Sequence, residues 1–334
     1  MASSLCGSGF ALLRPVKESG DWDPQRVKSW VNLVSLCIPL RFSSSTPRRA
    51  KVILGGGEGF VKGFLRKNRG VSEIRVLEQG FVRLVDQMGD DSRVVQAARV
   101  SYGAGTKTQR EDAALIDYLM RHQHTSPFEM VEFLFHVKTP IFVARQWFRH
   151  RTASVNEVSG RYSVMEEQMY MPTSLRAQSQ SNRQRGEGNL APEDEDAGKS
   201  EIEMAYKESY EHYQDLIAQG VAREQARLVL PLGIYTEFYW KQDLHNLFHF
   251  LKLRLAPEAQ EEIRAYAEAI AQIVSEQVPV CWQAFNEHIL KAAILSDSEL
   301  AALRSLIGPE AYRAALASQG LSGSRLREAL AKLF

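Results

Sequence analysis

The chain has 334 residues, of which 44 % are hydrophobic and 24 % charged; this is ordinary globular usage and excludes a wholly disordered chain. Lys+Arg number 41 and Asp+Glu 40, so the formal net charge of +1 excludes a basic nucleic-acid coat and an acidic solvating tail. Three scattered cysteines exclude a disulfide framework and a cysteine-based zinc site, and they favour a reducing, cytoplasmic compartment.

Residues 1–71 are interpreted as a basic, low-complexity extension. Residues 1–70 contain twelve Lys/Arg and four Asp/Glu, so this segment carries a net charge of +8 and the remainder of the chain −7. The Ser- and Arg-rich composition fits an organellar transit peptide, a disordered extension, or an upstream stretch read from a misplaced start codon. The longest apolar stretch in this segment is about half of the roughly twenty residues that a membrane span needs.

From residue 72 the pattern predicts a folded domain. Strands are expected where apolar residues alternate with polar ones, at 74–77, 81–85, 130–138 and 234–240. Helices with one apolar face are expected at 91–99, 111–122, 141–150, 201–219, 222–230, 243–251 and 257–277, with two or three more over 299–334. The predicted fold class is therefore α+β, with a small, mostly antiparallel sheet packed with helices.

Helix boundaries and domain limits follow from a few residues. Asp91-Ser92 and Asp243 are expected to cap the helices that follow them, and Pro257 is expected to begin the long helix. Segment 176–200 is polar and rich in acids, so it is predicted to be a mobile surface loop inserted in the central domain. The expected organisation is the extension, a central domain over 72–293, and a helical C-terminal extension over 294–334.

Chemistry-bearing side chains concentrate in residues 145–162. Four arginines lie in these eighteen residues with Glu157 as the one acid, so they have no local ion-pair partner. Arg145 and Arg149 are four apart on the predicted helix and are expected to share a face. Guanidinium groups bind phosphate through paired hydrogen bonds, and Ser159 adds a hydroxyl. The segment predicts a pocket for a phosphorylated, nitrogen-ring ligand; the alternative is a solvated helix end.

Other enzyme motifs are absent from the sequence. It contains no glycine-rich dinucleotide motif, no hydrolase nucleophile elbow and no zinc-protease motif. His122 and His124 have no obvious third ligand, so a structural or surface role is favoured and no metal site is predicted.

The arginine-rich segment resembles the motif of the flavin-dependent thymidylate synthase family. Arg149-His150-Arg151, followed after seven residues by Ser159, carries the resemblance together with the flanking residues. The similarity extends over roughly residues 76–290, through further matching segments at 99–101, 124–129, 227–231 and 243–254.

The resemblance implies a homotetramer that methylates dUMP to dTMP, with active sites shared between subunits. Methylenetetrahydrofolate is the implied carbon donor, NADPH the reductant and bound FAD the hydride carrier; neither nucleic acid nor membrane is an implied partner. The residues implied to hold dUMP are Gln146, Trp147, Phe148, Arg149, Glu157, Val158, Ser159, Gly160, Arg161, Arg227 and Arg254. Those implied to contact FAD are Ser101, Ser126, Arg149, His150, Arg151, Glu157, Asp243, Leu244, His245 and His249.

Arg254 is the expected catalytic residue. A guanidinium stays charged at any working pH and can stabilise negative charge on the uracil ring as N3 loses its proton. No enzyme nucleophile is then needed, and Ser159 is expected to bind rather than attack, because an alcohol needs a nearby base. His245 and His249 are four residues apart, so both are expected to face the flavin.

Two positions depart from the family pattern. Asp243 and Glu258 stand where some members have Asn and His. A carboxylate would repel the FAD phosphates, so Asp243 is expected to contact a ring or ribose, or to act indirectly. The change at Glu258 leaves the folate and nicotinamide contacts open.

Two other functions compete with thymidylate synthesis. One is a non-catalytic RNA- or nucleotide-binding protein that uses the arginine cluster, and the other is a folate- and FAD-dependent methylase of uridine in RNA. The net charge of −7 outside the extension favours a small anionic substrate over a polyanion.

Overall fold

The computed structural model describes residues 73–100, 109–180 and 186–334. The predicted extension 1–71 and Ser101 lie outside the described residues. In the ranges described, no helix combines the length and the apolar character that crossing a bilayer requires.

A five-stranded antiparallel sheet organises the fold, as the α+β expectation required. Its strands in chain order are β1 (Glu73–Val76), β2 (Gly80–Met88), β3 (Glu132–Pro140), β4 (Ser154–Glu157) and, after a separate hairpin of β5 (Arg176–Gln178) and β6 (Gly186–Asn189), β7 (Tyr235–Asp243). Their order across the sheet is β1-β2-β3-β7-β4, so the short strand β4 lies at one edge. Gly80 makes the β1–β2 turn possible, since a Cβ there would lie 2.0 Å from the Tyr266 hydroxyl.

Eleven α-helices surround the sheet in the described residues. The first eight are α1 (Asp91–Arg99), α2 (Gln109–Arg121), α3 (Ile141–Trp147), α4 (Pro192–Ala218), α5 (Arg223–Ala226), α6 (Leu244–Arg254), α7 (Glu261–Gln277) and α8 (Pro279–Phe285). The C-terminal extension supplies α9 (Asp297–Leu306), α10 (Pro309–Ser318) and α11 (Gly323–Leu333). A short 3-10 turn, Phe128–Met130, precedes β3, and a π-turn, Asn286–Leu290, follows α8.

The hydrophobic core covers one face of the sheet. Alternation along β3 buries Phe133, Phe135 and Val137 completely, as expected for a half-buried strand. Trp147 of α3 lies in the same core, with its ring centroid 5.2 Å from that of Trp240 and nearly perpendicular to it. The core thus fixes α3 and β7, the elements that lead into the arginine-rich segment and into α6.

Two expected helix starts were wrong, and Asp91 shows why. The N-cap of α1 is Asp90, whose side chain accepts a hydrogen bond from the Ser92 amide. The carboxylate of Asp91 instead accepts from the amides of Val280 (3.0 Å) and Cys281 (2.8 Å), so it caps the distant helix α8. The long helix α7 begins at Glu261 rather than Pro257, because 257–260 form the connection from α6.

The expected mobile loop at 176–200 was also wrong. Its first part forms the β5–β6 hairpin, and from Pro192 onward it is helix α4. The acids that suggested a solvated loop occupy the first turn of α4, where Glu193, Asp194 and Glu195 interact favourably with the positive end of the helix dipole. Proline at the first helical position fits the same start.

Candidate functional site

The arginine-rich segment passes from a helix through an edge strand into a turn. Helix α3 ends at Trp147, with Phe148 as its C-cap, so Arg149 lies beyond the helix and does not share a helical face with Arg145 as expected. Strand β4 follows, paired with β7 and exposed at all four residues. Its four residues span about 13 Å, which separates Arg149–Arg151 from the turn at Ser159.

Arg254, in the last turn of α6, reaches back to the end of α3. Its Nε donates a hydrogen bond to His150 Nε2 (3.0 Å) and its Nη2 donates to the Gln146 carbonyl oxygen (3.4 Å). Burial and the charges of Arg254 and His249 lower the pKa of His150 to about 4, so its imidazole is neutral and can accept. Burial also lowers the pKa of Arg254, but a guanidinium remains charged in proteins. The result is a fixed, half-buried cation.

The three residues at the end of α3, 146–148, differ in how far they are buried in the core. The Gln146 side chain donates to the side-chain oxygen of Gln260, which follows α6. The Trp147 indole is fully buried in the core and does not line the histidine-lined cavity described below. Phe148 is half-buried and packs edge-on against Phe238, with ring centroids 4.9 Å apart.

A second cationic cluster lies beyond β4. Arg161 Nε is 3.3 Å from a carboxylate oxygen of Glu224, and Arg227 Nε donates to the Glu224 carbonyl oxygen at 3.3 Å. The turn is tight: the Ser159 hydroxyl accepts from the Arg161 amide at 3.3 Å. A Cβ at Gly160 would come within 3.3 Å of Arg227 Cδ, so the backbone passes close under this arginine. Arg161 pairs with the exposed Glu224 carboxylate, whereas Arg227 contacts the backbone oxygen of the same residue. One carboxylate therefore stands against two exposed guanidinium groups, which favours an anionic ligand.

Two tyrosines of α4 hold this turn in place. The Tyr210 hydroxyl donates to the Met165 carbonyl oxygen (3.0 Å), and the Met165 amide donates to the Tyr213 hydroxyl (3.1 Å). The Met165 side chain then packs against the turn, with its Sδ 3.2 Å from the position of a Cβ at Gly160. Sequence reasoning missed these tyrosines; their spacing of three on a helix was the available signal.

A cavity of about 330 Å³ lies next to His150, the hydrogen-bond partner of Arg254. Its wall comes from the turn after α2, from α6 and from the end of α8, and includes His124, Phe128, His245, Phe248, His249, Lys252, Phe285, His288 and Ile294. His245 and His249 line it together, which confirms that they share a helix face. The His249 and His150 ring centroids are 6.0 Å apart, so the cavity and the Arg254 site are neighbours.

The remaining expected FAD residues occupy varied positions. Asp243 caps α6: its two oxygens accept from the Asn246 amide (2.9 Å) and the Asn246 side chain (2.8 Å). Leu244 is fully buried in the core and does not line the histidine-lined cavity. Glu157 accepts from the Thr236 hydroxyl at 2.7 Å. Ser126 is exposed beside the 3-10 turn.

Arg149 and Arg151 are exposed at the start of β4. Across residues 73–100, 109–180 and 186–334, neither has a carboxylate within ion-pair distance. The expectation that local acids do not neutralise these arginines therefore holds for this pair, whereas Arg161 does find Glu224.

A separate cleft of about 680 Å³ lies between the β5–β6 hairpin and the connection from α6 to α7. Glu258 lines this cleft rather than the histidine-lined cavity. At its base Glu262, whose side chain is 6 % exposed, pairs with Arg176 and accepts from the Tyr170 hydroxyl (3.2 Å). The departure at Glu258 thus falls outside the cavity that holds His245 and His249.

The chain is similar to proteins of known class over most of its length. The family model described as thymidylate synthase complementing protein matches residues 83–280. A flavin-dependent thymidylate synthase of Thermus thermophilus is 67 % identical over 261 residues, covering 78 % of this chain and 96 % of the relative. That of Treponema denticola is 49 % identical over 264 residues, covering 78 % and 97 %.

A solved structure with the same fold is that of the UMP/dUMP methylase PolB from Streptomyces cacaoi bound with 5-Br dUMP. The TM-score is 0.59 at 35 % identity, over 64 % of this chain and 97 % of that one. From the family match and the extent of these similarities, the chain belongs to the flavin-dependent thymidylate synthase family.

Proposed function

We propose that this protein is an enzyme that reductively methylates dUMP to dTMP, with methylenetetrahydrofolate as carbon donor, NADPH as reductant and FAD as bound cofactor. The observation that carries the proposal is Arg254, a charged guanidinium held by neutral His150 and by the Gln146 carbonyl oxygen beside a histidine-lined cavity. The names of the relatives support the reaction class.

Arg254 activates the pyrimidine. Its remaining N–H groups face the ring and stabilise the negative charge that develops when N3 loses its proton. Neutral His150 accepts from Nε and so fixes the plane of the guanidinium fork. Among the described residues the candidate nucleophiles are Cys281, which is buried in α8, and Ser159, which lies among arginines, so the proposal assigns no attacking side chain.

The cluster beyond β4 binds the nucleotide phosphate. Arg161 and Arg227 supply forked donors, and the turn at Ser159 supplies backbone and hydroxyl groups. The exposed Glu224 carboxylate pairs with Arg161, and a dianionic phosphate competes with it for this guanidinium.

The histidine-lined cavity suits one end of FAD. Its volume, about 330 Å³, lies at the small end of the range of roughly 300–1,000 Å³ for ligand pockets. Its aromatic walls suit a flat ring, while His124, His245 and His249 offer hydrogen bonds. Arg149 and Arg151, which lack carboxylate partners in the described ranges, suit the diphosphate. When bound, the flavin supplies hydride transfer.

The active enzyme is a homotetramer with active sites shared between subunits. Within one chain the phosphate cluster is separated from Arg254 by β4, so a second copy brings complementary ends together. Large apolar side chains are exposed around the cluster, as subunit contacts require; they are Val155, Val158, Tyr162, Leu228 and Leu232.

Residues 72–293 form the catalytic unit, with 294–334 as a helical addition. The few cysteines, with Cys281 a free buried thiol, favour a cytoplasmic setting. Nucleic acid and membrane are not partners in this proposal.

The test is tritium release from dUMP labelled at C5. The full chain and a chain that starts at Ser72 are assayed with FAD, NADPH and methylenetetrahydrofolate, and then with each omitted. Release that needs all three supports the proposal. Binding of dUMP without release contradicts it in favour of a binding protein, and release only from labelled RNA contradicts it in favour of RNA methylation.

Methylation of UMP is a second candidate activity. The neighbouring structure is named a UMP/dUMP methylase, and a second one has 5-Br UMP bound. Labelled UMP in the same assay separates the two: release at less than about 1 % of the dUMP rate, a difference of about 2.7 kcal/mol, excludes it.

A further inference from the structure

The C-terminal helix α11 lies outside the family match at 83–280 and is fastened to α2 by ion pairs. Glu328 of α11 pairs with Arg121, and one of its oxygens lies 3.2 Å from His122 Nε2. Arg325, one turn earlier, lies 3.7 Å from the Asp117 carboxylate.

Asp117 joins three parts of the molecule. Besides Arg325, its carboxylate contacts His288 Nε2 at 2.8 Å and Arg121 Nε at 3.7 Å. The side chains of Arg121 and His288 are only 11 % and 12 % exposed, so solvent screens these pairs less than it screens ordinary surface pairs. Helix α11, helix α2 and the π-turn therefore meet at a partly buried ionic cluster.

This cluster adjoins the cavity assigned to FAD. Directly after α2, Gln123 adopts a left-handed backbone (φ +56°), which is uncommon for residues other than glycine and turns the chain so that His124 faces the cavity. The Tyr118 ring contacts the rings of both His122 (centroids 4.3 Å apart) and His124 (5.9 Å). His288, bound to Asp117, is itself part of the cavity wall.

We propose that α11 positions this wall of the cavity, with Arg325 and Glu328 as positioning residues for flavin binding. By holding α2 and the π-turn together, the two side chains fix His124 and His288 in the cavity wall. The inference rests on the proposed function, since that is what assigns the cavity to FAD.

The experiment compares the full chain with Arg325→Gln/Glu328→Gln after bound flavin has been removed. FAD is titrated by quenching of its fluorescence, and dUMP by calorimetry. The double variant is expected to bind FAD about tenfold more weakly and dUMP with unchanged affinity, because the contacts of Glu328 with Arg121 and His122 and of Arg325 with Asp117 are lost on one side of the site. Glu310→Gln, which breaks an exposed pair with Arg313 on α10, is the matched control and leaves both affinities unchanged.

The possible outcomes distinguish failure of the positioning role of α11 from failure of the proposed function. Unchanged FAD affinity in the double variant, or an equal loss of FAD and dUMP affinity, overturns the positioning role. If the unaltered chain binds no FAD, the proposed function itself fails. Should the double variant not fold, Glu328→Gln alone, which keeps the Arg325–Asp117 pair, is expected to weaken FAD binding about threefold, and no weakening overturns the inference.

Discussion

The acceptor that holds Arg254 is a neutral imidazole rather than a carboxylate. A carboxylate in this place would neutralise the guanidinium, whereas His150 orients it and leaves its positive charge uncompensated. Because the guanidinium is half-buried, its attraction for a negative group is stronger than it would be in water. The hydrogen bond to His150 therefore holds the Arg254 guanidinium in one position without reducing its positive charge.

Replacing Arg254 tests this arrangement directly. Arg254→Ala is expected to lower the rate of tritium release from dUMP by about 100-fold or more, the loss typical when one preorganised donor to a developing negative charge is removed. Turnover is measured beside the dUMP dissociation constant. Arg264→Ala, one helix away on α7, is the control and keeps near-normal turnover. Near-normal turnover in Arg254→Ala with normal dUMP affinity would remove the activation role.

His150 also makes a prediction about pH. In the unfolded chain it titrates near its ordinary pKa of 6.5, and in the folded protein the pKa is about 4. Between these values the unfolded state binds more protons, so this residue makes the free energy of unfolding fall as the pH drops from 6.5 to 4. Chemical denaturation at about pH 7, 6 and 5 is expected to show a smaller fall in His150→Gln than in the unaltered chain. Equal falls in the two proteins would mean that His150 is not held neutral.

At the level of elements, Asp91 links α1 to α8 across most of the chain. Asp91→Ala leaves the Val280 and Cys281 amides without their acceptor and is expected to lower the free energy of unfolding by about 1–2 kcal/mol, the usual effect of losing an N-cap. Urea denaturation measures the loss. Asp196→Ala, on α4, is expected to change stability by no more than about 0.5 kcal/mol. Equal stabilities of the two variants would refute the capping role.

Helix α4 supports the turn proposed to bind the substrate phosphate through Tyr213. Tyr213→Phe leaves the Met165 amide without its acceptor, which costs about 1–3 kcal/mol in the ordering of the turn. The KM for dUMP is expected to rise about tenfold while kcat changes little, because binding of the phosphate weakens and the Arg254 site is untouched. Steady-state kinetics give both constants, with Tyr312→Phe on α10 as control. A fall in kcat at constant KM would contradict the assignment of this turn to the phosphate.

Periodicity predicted the helices and strands that have a regularly repeating apolar face. It failed for elements that form through pairing with another strand, through charged residues or through contacts distant in sequence. Strand β3 and helix α6 followed directly from alternation in one and from helical spacing after Asp243 in the other. Strand β4 was missed because Ser154–Glu157 has no buried face and exists through pairing with β7. The first turns of α4 were missed because they are almost wholly charged. Capping of α8 by a residue 189 positions away leaves no local pattern.

At the level of the whole molecule, the edge strand β4 lies in the chain between the residues that contact Arg254 and the turn that carries Arg161. Motif similarity proposed the members of the candidate site, but it did not separate the exposed and half-buried ones from Trp147 and Leu244, which complete the core. Nor did it predict that Arg254 and Arg161 lie in different clusters. That division depends on which strand lies at the sheet edge, a property of the assembled fold.

Subunit sharing predicts complementation between two inactive variants. Arg161→Ala and Arg254→Ala are each expected to be inactive, yet subunits mixed by reversible unfolding should form some sites with both arginines intact. In an equal mixture, each of the two subunits that form a site carries its required arginine in about half of the cases. Random pairing in a symmetric oligomer therefore restores about a quarter of the sites. Tritium release by the mixture, compared with each variant refolded alone, measures this. No recovery in a mixture that has refolded to the original size would place both arginines in sites of single subunits.

The thiol at the start of α8 offers a use unrelated to catalysis. Cys281 is fully buried, and burial together with Asp91 raises its pKa, so the closed protein keeps it protonated and shielded from alkylating reagents. With Cys6 and Cys37 changed to serine, it becomes the single thiol of the chain. Its rate of alkylation would then report how often α8 separates from Asp91. The same rate would measure how often the contact between α1 and α8 opens.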